Sequence, residues 1–245
     1  MRNSPDDETA EAGIDRSAAT TAAARAAIEA IVRDFDMARR WGGLSAREDR
    51  ARRAILRLFA RFGRTPLFHE IAAESGIARA DLPAVLAALA GRDLIVLGDD
   101  RERIAGAYPF ADCDRGYGVV CAGQRLHAMC ALDALGIGAM LDEDATIASS
   151  CAACGTEIQI TTRGRGTEID HAFPVAGVVW AALAYADACA AGSMCPRTAF
   201  FCSDEHLWSW RRNNPDERGH RLDLAEAIEV GRALFARRLA PATRD

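Results

Sequence analysis

All eight cysteines of the chain lie between Cys113 and Cys202, and none precedes Cys113. That asymmetry separates a cysteine-free N-terminal part from a cysteine-rich C-terminal part. Met1 to Arg16 is rich in Asp and Glu and lacks the basic-then-apolar pattern of a secretory leader. The thiols are therefore expected to be reduced cores, ligands or nucleophiles of a cytoplasmic protein rather than a disulfide framework. At 245 residues, 50% of them hydrophobic, the chain is long enough for one large or two modest domains.

A net charge of -5 offers no general attraction for nucleic acid or anionic membrane. The longest apolar stretch, Ala172 to Ala186, contains Pro174 and stops at Asp187. It falls short of the roughly 20 residues that cross a bilayer, and a buried helix is expected there instead. Neither a nucleic-acid nor a membrane partner is expected.

Residues 1 to about 17 are polar and expected to be disordered, and the Ala-rich run Ala18 to Arg40 has the propensity of one helix. Ser45 with Glu48 marks the start of another, carrying Ile55, Leu56, Leu58 and Phe59. Shorter helices over Leu67–Ser75 and Ala80–Arg92 follow, then two strands flanking Gly98-Asp99-Asp100. Three helices and a hairpin are the winged-helix order, so three parts are expected: an extension with its helix (1–45), a winged-helix-like domain (46–108) and an α+β domain (109–245). The third helix offers Arg79, Asp81 and Arg92, and the wing has three acids to two bases. Phosphate contacts from such a surface are poor, which favours a scaffold over a DNA reader.

The chemistry is placed in Leu126–Gly136, read as a helical segment in which Cys130 and Asp133 share one face. On spacing alone, a small buried hydrophobe and a capping carboxylate are the more economical reading. The reactive reading pairs Cys130 with a second thiol, Cys195. Two thiolates are strong ligands for soft ions, and electron density given to mercury weakens a carbon–mercury bond so that the carbon takes a proton. Such a role for Asp133 requires burial that raises its pKa, or a relay from a thiol.

Three motifs, in order, resemble the organomercurial (alkylmercury) lyases. Cys130-Ala131-Leu132-Asp133 looks like the family's first catalytic motif, Ser149-Ser150-Cys151-Ala152-Ala153 its Ser-x-Cys-Ala-Ala segment, and Ser193-Met194-Cys195 with Phe200-Phe201-Cys202-Ser203 its second catalytic block. The resemblance covers about 46 to 237, and Trp208 or Trp210 and the helix Leu224 to Phe235 also fit. It implies that Cys130 and Cys195 hold mercury, with Asp133 handling the proton and belonging to the set around the Hg(II) product. It further implies no organic cofactor or resident metal, exogenous thiols as co-reactants, and a mercuric reductase as an acceptor of Hg(II). Pro196-Arg197 after Cys195 and Met129 before Cys130 depart from the family pattern.

Two features remain. Cys151 and Cys154 form a CxxC followed by Gly, half of a zinc ribbon or a redox pair, but Cys113/Cys121 and Cys189/Cys195 do not supply the other half. Cys151 is therefore expected to be structural or an accessory mercury holder, Cys154 is unassigned, Cys202 is a core or surface thiol, and no histidine is assigned to a metal. The reading from another class is a winged-helix regulator that senses a soft metal or organometal through its cysteines.

Overall fold

The computed structural model describes residues 12–99 and 102–240. The acidic start of the chain and residues Asp100 and Arg101 of the expected wing lie outside them. Residues 12–17, expected to be disordered, are instead packed. Ala12 and Ile14 are buried, and the Asp15 N–H donates to the Ala233 carbonyl at 2.8 Å. A 3-10 turn, Arg16–Ala18, leads to α1 (Ala22–Asp34), capped by the Thr21 side chain, and a short α2 (Met37–Trp41). The single helix expected from Ala18 to Arg40 is thus broken, and Asp36 takes a left-handed φ of 53°. Phe35 and Met37 explain the break. In a continuous helix they project about 200° apart, whereas here both are buried.

A reciprocal cap between Ser45 and Glu48 opens α3 (Ala46–Phe62), which buries Ile55, Leu56 and Phe59. After α4 (Phe68–Ser75) and α5 (Leu82–Gly91), β1 (Ile95–Leu97), β2 (Ile104–Ala107) and β3 (Phe110–Ala111) form an antiparallel sheet in that order. The third strand carries this sheet across the boundary expected at 108. Arg92, which follows α5 directly, turns inward and donates hydrogen bonds to the Arg40 and Gly42 carbonyls. Asp81 is paired with Arg47.

The second sheet is antiparallel with the order β5-β4-β6-β7-β8. It consists of β4 (Gly118–Cys121), β5 (Gln124–His127), β6 (Ala145–Ser150), β7 (Glu157–Arg163) and β8 (Glu168–Phe173), with α6 (Ala131–Leu141) between β5 and β6. The expected helix over Leu126–Gly136 is corrected here: Leu126 and His127 belong to a strand paired with β4, and the helix starts five residues later than Leu126. Burial of Leu126 beside exposed Arg125 is strand alternation.

The third sheet, β10-β9-β11, joins β9 (Val178–Ala182), β10 (Ala199–Phe201) and β11 (Gly219–Asp223), with α7 (Asp204–Asn213) and α8 (Leu224–Phe235) completing the chain. The apolar run expected as a buried helix is the central strand β9, buried at every position. A strand covered on both faces and a buried helix give the same unbroken apolar pattern.

Apolar nearly all round, α6 is correspondingly buried. It crosses α8 at two glycines. A Cβ on Gly231 would stand 2.9 Å from the Gly136 nitrogen and 3.0 Å from the Leu132 carbonyl oxygen, both backbone atoms that cannot rotate away. Alanine gains about 1 kcal/mol of helix propensity over glycine, but forced separation of packed helices costs about 1–3 kcal/mol. Gly231→Val, which lacks most of that propensity gain and carries two further methyls, is expected to lower unfolding free energy by about 2–3 kcal/mol. An unchanged urea midpoint would refute the close crossing.

Candidate active site

Cys130 is the N-cap of α6 and Asp133 lies in its first turn. This arrangement comes from β5 running directly into the helix, with the Met129 N–H bonded to Pro109 and the Ala131 N–H to the Thr198 carbonyl. Cys195 opens a 3-10 turn, Cys195–Arg197, and its N–H donates to the Ala190 carbonyl at 2.8 Å. The Thr198 carbonyl also accepts the Tyr117 hydroxyl at 3.2 Å. One carbonyl thus ties the turn of Cys195 to the helix start of Cys130.

The structure brings the three expected residues together. One oxygen of Asp133 and the sulfurs of Cys130 and Cys195 lie within 4.8 Å of one another. Each residue is at most 6% exposed. Cys195 Sγ stands 3.8 Å from Asp133 Oδ2. They face an apolar cavity of about 50 Å³, also lined by Phe35, Trp41, Tyr108 and Met194.

Burial pushes the Asp133 carboxyl up to about 7, against hydrogen bonds from both thiols and the Cys130 backbone that favour its anion. Burial likewise raises Cys130, helped by its hydrogen bond to Cys195 and the nearby Asp133. For Cys195, the hydrogen bond from Cys130 pulls the pKa down, but burial and the surrounding acids outweigh it. The resting pair is therefore held as thiols, and the carboxyl carries a proton through mildly acidic pH. A neutral site suits an apolar cavity; ionisation must be driven by a ligand.

Sequence reasoning missed the wall. Tyr108 donates to Asp93 Oδ1 at 3.0 Å, the Ala190 N–H to Asp93 Oδ2 at 2.7 Å, and the Trp41 indole to the Asp93 carbonyl at 3.1 Å. The Ala191 N–H completes the knot by donating to the Tyr108 hydroxyl at 2.8 Å. Burial raises the Asp93 pKa, offset by the bonds from Ala190 and Tyr108. This knot joins α2, the first sheet and the loop before Cys195. Nothing local in the sequence marks it.

A family model for alkylmercury lyase (MerB) matches residues 110–236, just over half of the chain. The chain belongs to the alkylmercury lyase family. A curated alkylmercury lyase of Staphylococcus epidermidis is 27% identical over 186 residues, spanning 76% of this chain and 81% of the relative. The crystal structure of the mercury-bound form of MerB2 superposes with a TM-score of 0.67 at 26% identity, covering 78% of this chain and 91% of that one. Membership makes the chain an enzyme of the alkylmercury lyase class with a mixed helix-and-sheet architecture. The family model begins at Phe110, so Phe35, Trp41 and Tyr108 of the cavity wall all precede it.

Proposed function

We propose that this lyase cleaves carbon–mercury bonds by protonolysis, with Cys130 and Cys195 as the mercury ligands and Asp133 as the proton carrier. The convergence of two buried sulfurs and one buried carboxyl group at an apolar cavity carries this reading. Mercury enters as substrate, R–Hg bound to an exogenous thiolate. One protein thiolate displaces that thiolate, which departs with the first thiol's proton. The second sulfur then binds mercury, and Asp133, which enters this step carrying a proton, receives the second thiol's proton on one oxygen as it releases its own from the other. As the carbon–mercury bond breaks, its electron pair takes the proton from Asp133, giving R–H and Hg(II) bridged by Cys130 and Cys195. Atoms and charge balance without an organic cofactor or redox partner.

Exogenous thiols are proposed both to deliver R–Hg and to remove Hg(II), with a mercuric reductase as acceptor. Among the described residues no helix is long and apolar enough to cross a membrane, and a cytoplasmic location is part of the proposal. Residues 46–108 are read as a winged-helix-like scaffold. The inward commitment of Arg92 and the Arg47–Asp81 pair support wall-building over DNA contact.

The test supplies methylmercury with excess thiol to the full chain and measures methane by gas chromatography. Tight mercury binding with no methane from folded protein would overturn the proposal. Cavity size adds a preference. A cavity of about 150 Å³ accommodates benzene, whereas this one has about 50 Å³. Opening a packed wall costs about 1–3 kcal/mol, so kcat/KM for methylmercury is expected to exceed that for phenylmercury by about tenfold or more. Equal values would show that the wall yields freely.

A further inference from the structure

A second cluster of soft ligands lies outside the cavity. One donor atom from each of Cys151, Cys154, Cys202 and His206 falls within 4.8 Å of the others. Cys154 Sγ is 3.7 Å from Cys202 Sγ, and Cys202 Sγ is 2.7 Å from His206 Nδ1. Around zinc at bond lengths near 2.3 Å, two tetrahedral sulfurs stand about 3.8 Å apart. Three thiolates with one imidazole are a structural zinc set, whereas mercury is served by two sulfurs alone.

The backbone is shaped for the same purpose. Cys151 to Thr156 is a knuckle closed by the Gly155 N–H to the Cys151 carbonyl at 2.9 Å and the Cys151 N–H to the Thr156 carbonyl at 2.8 Å. Gly155 takes a φ of 73° directly after the second cysteine of the pair, a conformation glycine adopts at little cost. On the other side, Ser203 caps α7 by accepting the His206 N–H. That cap places Cys202 just before the helix and His206 within its first turn. The positive end of the α7 dipole therefore faces ligands whose zinc complex carries a net charge of -1.

We propose that Cys151, Cys154, Cys202 and His206 bind one structural Zn(II). The three cysteines bind as thiolates, releasing their protons, and His206 binds through Nδ1 with its remaining proton on Nε2. The ion joins the β6–β7 turn to the end of β10, reinforcing the Ala152 N–H bond to the Phe200 carbonyl at 3.0 Å. Because β10 follows the Cys195 turn after a single residue, zinc fixes the strand that carries this turn. The second ligand pair absent from the CxxC motif is Cys202-x-x-x-His206, one cysteine and one histidine rather than two cysteines. The expectations that Cys202 is only a core or surface thiol and that no histidine binds metal are revised accordingly.

The test measures zinc in the full chain, purified under reducing conditions without chelator, by plasma mass spectrometry. About one zinc per chain is expected, and replacement by Co(II) should give thiolate charge-transfer bands with intense tetrahedral visible bands. Cys154 is exposed, so Cys154→Ser should fold while its zinc affinity falls about 100-fold or more. His206→Ala should do likewise, whereas Cys130→Ser should retain the zinc. Wild-type protein that binds neither Zn(II) nor Co(II), or ligand variants that keep a full equivalent, would overturn the site. So would a Co(II) spectrum lost with Cys130→Ser but kept with Cys154→Ser. These readouts do not depend on lyase activity.

Discussion

Cys195→Ser and Cys130→Ser are each expected to lower methane release from methylmercury by about three orders of magnitude or more, with little change in thermal stability. A serine hydroxyl fills nearly the same volume but is a hard, weak ligand for mercury, so either variant leaves the ion with one good sulfur. The two should fail differently. Burial raises both thiols, but the hydrogen bond from Cys130 favours the Cys195 anion, so in the proposed mechanism Cys195 captures the substrate first. Cys130→Ser should therefore bind methylmercury without cleaving it. Cys195→Ser should show weakened capture as well. Stopped-flow binding and gas chromatography separate the two defects, and turnover within tenfold of wild type in either variant would remove that cysteine from the proposed mechanism.

Asp133→Asn is expected to retain mercury binding but to slow hydrocarbon release by about 10²- to 10⁴-fold, the range for loss of a positioned proton donor. It should also change how stability responds to pH. The folded protein holds the Asp133 proton to about pH 7, against a reference carboxyl value of 3.8. A raised carboxyl pKa contributes stability that is full at low pH and is lost as pH rises through the folded value. The penalty grows between about pH 4 and pH 7 and then levels off at roughly 4 kcal/mol. Asparagine carries no such proton. In urea titrations at pH 5 and pH 8, wild type should lose stability relative to Asp133→Asn as pH rises; parallel changes would place Asp133 in a wetter setting than the geometry shows.

Much of this was legible in the sequence where the determinants are local. The Ser45–Glu48 cap and the Cys130–Asp133 spacing are short-range facts, and both survive in three dimensions. The family resemblance singled out Cys195 as the candidate second sulfur, and folding brings it to Asp133 from 62 residues away. The errors share a different cause. A run such as Val178–Ala182 is equally apolar as helix or strand, and only its neighbours β10 and β11 decide. The Asp93 knot and the Cys151–His206 cluster depend on contacts such as Ala190–Asp93, 97 residues apart, and Cys154–Cys202, 48 apart, which no spacing pattern reveals. Trp41 and Tyr108 carry no local sign of a site in the sequence, yet they line the cavity that the sulfurs face.

The first and last described segments hold one another. The Thr20 and Thr21 backbone donates to the Glu229 carboxylate, Asp15 to Ala233, and buried Arg238 to Ala12. During synthesis this pairing sets an order of events. The first helix packs chiefly on α8 and β11, and contacts of such long range form late. All eight thiols are therefore in the growing chain before the cavity that shelters two of them exists.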